Sequence, residues 1–228
     1  MKRITFLIFT LLIFPPNSEA SVVTVDFAGN ITNQYSSQII PTGYSFGDPF
    51  TGRFAYDTSL MGVPVQSDTT YYEGLSLFEL TISGRTFTSP IAVAEITNNT
   101  NSGTEDVLTI SSGTRLNPAY SIIGPTFDGF TGFNMQLQMR DRTATVFSST
   151  SLPESSLNIS EFGSNNNAIT LLFTGAGADP RLYPLWGKIT AISVTVVHSI
   201  PEPTTLLLLA LGIPMLAAAQ IRKHRVDA

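Results

Sequence analysis

Short runs in which apolar and polar residues alternate dominate residues 21–200. Residues 133–140 are the clearest example, because every second side chain is apolar, as in a strand with one buried face. The stretches between such runs are rich in Gly, Asn and Ser, which favour turns. The pattern predicts strands at residues 22–27, 31–40, 50–56, 75–82, 85–88, 91–97, 107–111, 133–140, 168–174 and 189–197.

Local signals refine these strands. Gly29-Asn30 is predicted to join the first two, and Asp57 to turn the chain after the third. Ser83-Gly84 has the length and composition of a two-residue hairpin turn. The third strand is expected to place four residues on one face: Phe50, Gly52, Phe54 and Tyr56.

No stretch of residues 21–200 shows a helical period, so the predicted fold class is all-β. About eight to twelve short strands at this spacing predict an antiparallel β-sandwich of the jelly-roll type. A closed up-and-down barrel is the alternative. An outer-membrane barrel is disfavoured, because the strands are short and the apolar tail would compete with barrel insertion.

The N-terminus has the three parts of a secretory signal peptide. Lys2-Arg3 is a positive region, residues 4–14 are apolar, and small residues precede a cleavage site between Ala20 and Ser21. An N-terminal membrane anchor is the alternative, but eleven apolar residues are too few to span a bilayer. The pattern therefore predicts export through a translocon and removal of residues 1–20 by signal peptidase.

The C-terminus also has three parts, in the order motif, apolar helix and basic cluster. The motif is Pro201-Glu202-Pro203, whose prolines keep the backbone extended. A helix over residues 204–221, beginning at Thr204, would reach roughly 27 Å, close to the hydrocarbon thickness of a bilayer. The residues that follow are expected to hold the end of the chain in the cytoplasm: Arg222, Lys223 and Arg225.

Residues 200–225 resemble the PEP-CTERM sorting signal of Gram-negative bacteria, also known as the ice-binding protein C-terminal domain. Ile200 departs from the usual Val, while the motif, the helix and the basic end follow in the expected order. The resemblance implies recognition by a membrane protease of the exosortase type, removal of the tail, and delivery to the outer surface or the exopolysaccharide matrix. A permanent C-terminal membrane anchor is the alternative.

These signals divide the chain into a signal peptide at 1–20, a passenger domain at 21–199 and a sorting signal at 200–225. The passenger domain carries 7 basic and 14 acidic residues, which disfavours binding to nucleic acid or anionic lipid. The chain has no cysteine, which excludes a thiol nucleophile and cysteine-based metal sites.

The two histidines offer little catalytic chemistry. His198 stands at the end of the last predicted strand, and His224 lies in the basic tail. A Ser-His-Asp triad would need His198, and no Gly-x-Ser-x-Gly elbow accompanies it. The sequence therefore predicts no catalytic residue and no metal site, and we expect His198 to be an exposed strand-end residue.

Carboxylate chemistry stays open, because a glycosidase needs only two acidic side chains across a groove. Four acidic residues surround the most aromatic part of the chain and could line a sugar groove; the alternative is that they are turn and surface residues beside a packed core. The acidic residues are Asp57, Asp68, Glu73 and Glu79, and the aromatic ones are Tyr56, Tyr71, Tyr72 and Phe78.

Two further stretches have alternative interpretations. Residues 98–106, with Glu105-Asp106, and Asp128 offer oxygen ligands for calcium, but no calcium-loop motif is present. A solvated loop is the preferred interpretation of residues 98–106. Trp186, the single tryptophan, is interpreted as a core or sandwich-end anchor, with a ligand platform as the alternative.

The combined prediction is a non-enzymatic protein of the cell surface or extracellular matrix, which passes through the inner membrane. The expected partners are the translocon, signal peptidase and an exosortase-type protease, with no cofactor. A carbohydrate-binding module that holds matrix polysaccharide is the first alternative, and a carboxylate-pair glycosidase is the second.

Overall fold

The computed structural model describes residues 21–32, 43–114, 116, 122–126, 131–154, 157–163, 167–174 and 182–198. Ser21–Val197 forms one compact unit. Its elements are β1 (Ser21–Ile31), β2 (Pro49–Asp57), β3 (Val63–Gln66), β4 (Thr69–Leu75), β5 (Leu77–Ile82), β6 (Arg85–Ser89), β7 (Ala92–Asn99), the helical turn α1 (Thr100–Gly103), β8 (Glu105–Ser112), β9 (Thr131–Asp141), β10 (Ala168–Thr174) and β11 (Leu182–His198).

The strands form a single sheet in the order β3-β4-β7-β8-β9-β10-β11-β1-β2-β5-β6. The prediction of an all-β antiparallel fold is confirmed. The prediction of a two-sheet jelly-roll sandwich is wrong, because hydrogen bonding continues through all eleven strands. A sheet this wide curls as its strand twist accumulates, so it buries one face against itself without a second sheet. Among the described strands, β3 and β6 lie at the two edges of the sheet and do not pair with each other. The alternative of a closed barrel is therefore also wrong for these strands.

The concave face of the curled sheet encloses one hydrophobic core. Phe54, Phe78 and Leu137 are completely buried there. Phe87 on β6 packs edge to face against Phe173 on β10, with ring centroids 5.8 Å apart. Since β6 and β10 are well separated in the strand order, this contact shows how far the sheet curls.

Several predicted elements are confirmed. On β2, Phe50, Phe54 and Tyr56 are buried, as the alternation predicts. Ser83 and Gly84 join β5 to β6 with φ of 49° and 74°, the two positive values that a tight hairpin turn requires. The strands predicted in residues 85–88, 91–97, 107–111, 133–140 and 168–174 are all present.

Gly29-Asn30 is not the predicted turn, because β1 continues through both residues to Ile31. A Cβ on Gly29 would overlap the carbonyl oxygen of Lys188 on β11, so the glycine permits a close approach between strands. The rest of the strand predicted at 31–40 lies outside the described residues from residue 33 onward.

The hairpin of β3 and β4 was missed by the sequence analysis. Pro64 interrupts its first strand, which lies at an edge of the sheet where a proline is tolerated. The last strand is also longer than predicted, since β11 begins at Leu182. The alternation of buried and exposed residues changes phase at two consecutive exposed residues, Thr190 and Ala191. The first half of β11 was therefore not recognised as part of the same strand.

None of the helices among the described residues has the length and apolar character needed to cross a membrane. The helix predicted at 204–221 lies outside the described residues. The whole predicted signal peptide at 1–20 and the whole sorting signal at 200–225 lie outside them as well.

Candidate functional site

The predicted processing sites border the compact unit. Ser21, the predicted first residue of the mature protein, begins β1 and is buried. Its backbone N–H donates to the hydroxyl of Thr58 at 3.1 Å, and its carbonyl accepts from the backbone N–H of Thr58 at 2.9 Å. Cleavage between Ala20 and Ser21 stays a prediction.

At the other end, β11 finishes at His198, which is exposed as expected for a strand-end residue. The predicted sorting residues follow immediately in the chain and lie outside the described residues: Pro201, Glu202, Pro203, Thr204, Arg222, Lys223 and Arg225.

The predicted aromatic groove does not form, because three of its four aromatic residues belong to the core. Phe78 is completely buried. The hydroxyl of Tyr56 donates to the carbonyl of Pro153 at 2.6 Å, and that of Tyr72 donates to the carbonyl of Thr150 at 2.8 Å. Burial raises the pKa of both tyrosines. These two side chains therefore attach the sheet to the segment at 142–154.

The acidic residues of this predicted groove serve local structure. Asp57 accepts a 2.7 Å hydrogen bond from the backbone N–H of Ser59, and hydrogen bonds from Ser59 lower the pKa of Asp57. Asp68 accepts from the adjacent Thr69 hydroxyl at 3.1 Å. Glu73 on β4 and Glu79 on β5 do not restore the predicted groove, since three of its four aromatic rings belong to the core.

The acidic residues of the predicted calcium loop are also engaged. Asp106, completely buried, accepts from the backbone N–H of Asn99 at 2.9 Å and from that of Phe147 at 2.8 Å. Glu105 pairs with Arg140 at 3.3 Å. Within the described ranges no group of three or more metal-ligating side chains occurs, and Asp128 lies outside them.

A second buried carboxylate, Asp141, was missed by the sequence analysis. It accepts hydrogen bonds of 2.6 to 3.2 Å from the backbone N–H and the hydroxyl of both Thr143 and Thr145. Burial alone would raise its pKa, but these four bonds outweigh burial and lower the pKa of Asp141 to about 2. The Asp-x-Thr-x-Thr spacing is a turn signal that could have revealed this role.

The segment that follows Asp141 forms a surface pocket of about 410 Å3. Glu154 and Glu161 both line it, together with serine residues and Leu157. Both glutamates are exposed, whereas a glycosidase acid needs an apolar enclosure to hold its proton. The pocket is therefore a polar surface depression whose two carboxylates lack an apolar enclosure.

The convex side of the sheet carries two rows of mostly polar residues over six strands, from β4 through β7, β8, β9 and β10 to β11. Three members of these rows are buried: Val93, Thr109 and Thr170. Strand pairing places the residues of this surface in two parallel rows, because directly opposed residues lie on the same face. One row is Tyr71, Glu95, Thr109, Gln138, Ala168 and Lys188. The other is Glu73, Val93, Ser111, Gln136, Thr170 and Trp186. We call these two rows the outer face.

The row between them confirms which way the outer face points. Tyr72, Ala94, Ile110, Leu137 and Ile169 occupy this intermediate row, and all are buried in the core. Since successive side chains of a strand point to opposite faces, the two flanking rows point away from the core.

Hydrogen bonds organise the outer face. The amide of Gln138 donates to the Thr109 hydroxyl at 3.5 Å, and Gln136 donates to Ser111 at 3.4 Å. Arg140, at the border of the face, donates to the amide oxygen of Gln138 at 3.1 Å. Trp186 and Tyr71 are partly exposed near opposite ends of the surface, and the indole nitrogen of Trp186 is buried. Both interpretations of Trp186, as a ligand platform and as a core or sandwich-end anchor, stay predictions.

Together these features define an all-β domain with a polar outer face, followed by a C-terminal segment of distinct character. The PEP-CTERM protein-sorting motif matches that segment, at residues 199–225. The prediction of a PEP-CTERM motif is therefore confirmed, and the motif implies export and processing at the membrane. Searches of curated proteins and of solved structures found no match.

Proposed function

We propose that this chain is a non-enzymatic protein of the cell surface or extracellular matrix, sorted through its C-terminal motif. The translocon exports it, signal peptidase removes residues 1–20, and an exosortase-type membrane protease cleaves near Pro201-Glu202-Pro203. The mature protein is then the curled-sheet domain, delivered to the outside of the cell.

The position of the motif carries this proposal. The match begins at residue 199, directly after β11 ends at His198. Cleavage within or just after Pro201-Glu202-Pro203 would therefore leave the last strand whole. Because every strand among the described residues precedes such a cut, the core of the domain would be kept after processing.

The chemistry of the domain supports a role without catalysis. The chain has no cysteine and two histidines, of which His198 is exposed at a strand end. The buried carboxylates of Asp106 and Asp141 hold backbone N–H groups and hydroxyls, so they serve the fold.

The test is to replace Pro201, Glu202 and Pro203 with alanine in a chain that carries an epitope after its last residue. The unsubstituted protein should lose the epitope and leave the membrane fraction, whereas the substituted protein should keep both. A matched control replaces Pro153 and Glu154, a Pro-Glu pair inside the domain, and should be processed normally. Equal loss of the epitope with and without the motif would overturn the proposal.

Deletion of the exosortase-type protease from the producing cells supplies a second comparison. It should have the same effect on the unsubstituted protein as the triple alanine substitution. Normal processing in such cells would show that a different protease recognises this tail.

A further inference from the structure

The outer face presents several side chains that can form hydrogen bonds, held at fixed positions by the sheet. The two rows hold hydroxyl and carboxylate groups on β4, a carboxylate on β7, hydroxyls on β8 and amides on β9, at the fixed spacing of a sheet. Of the two β8 hydroxyls, that of Thr109 belongs to a buried residue and that of Ser111 to a partly exposed one. Six strands about 4.8 Å apart span roughly 24 Å, and the two rows are roughly 7 Å apart. A surface of this size can contact several units of a linear polymer at once.

Two aromatic residues add flat apolar contacts to this surface. Tyr71 lies on β4 and Trp186 on β11, both partly exposed. The negative face of an aromatic ring attracts the slightly positive C–H groups on the face of a sugar ring, while amides and carboxylates bond the sugar hydroxyls. The combination therefore suits a polyhydroxylated ligand.

The charges of the outer face and its border disfavour other ligands. The face and its border carry three acidic residues, Glu73, Glu95 and Glu105, and two basic ones, Arg140 and Lys188. These residues give no excess of positive charge that would attract an anionic polymer. The rows contain few aliphatic side chains, whereas the centre of a protein interface is apolar. A neutral ligand rich in hydroxyl groups fits these properties best.

We propose that the outer face binds a neutral polysaccharide chain that lies across the strands between Tyr71 and Trp186. This inference rests on the proposed function, since export places the domain where extracellular polysaccharide occurs. Gln136 and Gln138 bond sugar hydroxyls in the middle of the face, and the two aromatic rings hold the chain near its ends.

Affinity electrophoresis of the full-length protein in detergent tests the proposal. The gels contain one of five neutral polysaccharides: hydroxyethylcellulose, xyloglucan, galactomannan, soluble starch or dextran. Alginate, an acidic polysaccharide, is the comparison. At least one neutral polysaccharide should slow the protein, and alginate should not. Failure of all five neutral polymers, or retardation by alginate alone, would overturn the proposal.

Single substitutions locate the binding surface. Trp186→Ala should weaken retardation by the bound polymer at least tenfold. Gln136→Ala should weaken it about threefold to tenfold, and this variant is expected to fold normally because Gln136 is exposed. Thr86→Ala is the matched control, because Thr86 is exposed on β6, outside the six strands of the face. Unchanged binding by Gln136→Ala and Trp186→Ala, or equal loss in the control, would place the site elsewhere.

Processing and binding fail independently. A protein that is cleaved and exported normally but binds none of the polymers would overturn this inference and leave the sorting proposal intact. A protein that binds a neutral polysaccharide but is never cleaved would overturn the sorting proposal and leave this inference intact.

Discussion

The carboxylate of Asp141 provides a test of how the 142–154 segment is held on the sheet. Asp141 is 2% exposed and accepts four hydrogen bonds from Thr143 and Thr145. Burial would raise its pKa, but the four hydrogen bonds outweigh burial and lower the pKa to about 2 in the folded protein, from the ordinary aspartate value of 3.8. A difference of about 1.8 units corresponds to roughly 2 kcal/mol of stability from the ionised form.

The sign of this contribution fixes its pH dependence. Because the folded protein lowers the pKa of Asp141, the stabilisation is complete above the unfolded pKa and is lost as pH falls through the folded pKa. Asp141→Asn should therefore lower the free energy of unfolding by about 2 kcal/mol at pH 7. The difference between the two proteins should fall to about half of that at pH 3.

Urea unfolding of the purified full-length protein, followed by the fluorescence of the single Trp186, measures both quantities. Glu161→Gln removes an exposed carboxylate from the same part of the chain and should change stability by less than about 0.5 kcal/mol at either pH. If Asp141→Asn costs the same at pH 3 as at pH 7, the ionised carboxylate is not the source of the stability and the reasoning is wrong.

Three further substitutions test the sheet. Phe87→Ala should cost about 3 to 5 kcal/mol in urea unfolding, because it leaves a cavity in the completely buried core; a cost below about 1 kcal/mol would contradict the packing. Gly29→Ala should abolish stable folding by circular dichroism, since its Cβ overlaps the Lys188 carbonyl, and a normal melting curve would refute that close approach. Asp26→Asn should change stability by under about 1 kcal/mol despite its 2.6 Å pair with Arg53, because both side chains are exposed to solvent; a larger loss would show that the pair is structural.

The strands that could be predicted from the sequence are those with one face buried and the other exposed to solvent, because their apolar and polar residues alternate. The alternation in β9 and the hairpin turn at Ser83-Gly84 are local properties, and both are confirmed. Gly29 shows the limit of such reasoning, because the same residue signals a turn or a close approach between strands. Only the position of Lys188 on a distant strand decides between them.

The candidate site was harder to predict, because side-chain direction depends on strand register. Tyr71 and Tyr72 are neighbours in sequence, yet Tyr71 lies on the outer face and Tyr72 in the core. Gln136 and Trp186 meet on one face only through β10, whose Thr170 pairs with both. No periodicity within one segment reveals such a row, whereas the sorting motif is continuous in sequence and was recognised directly.

Intact-mass spectrometry of the protein from its native cells, separated into membrane, periplasm and medium, tests the central claim most directly. The expected result is a species outside the cell that begins at Ser21 and ends between Pro201 and Thr204. A membrane-bound species that retains Arg222 and Arg225 would contradict it, since the tail would then be a permanent anchor.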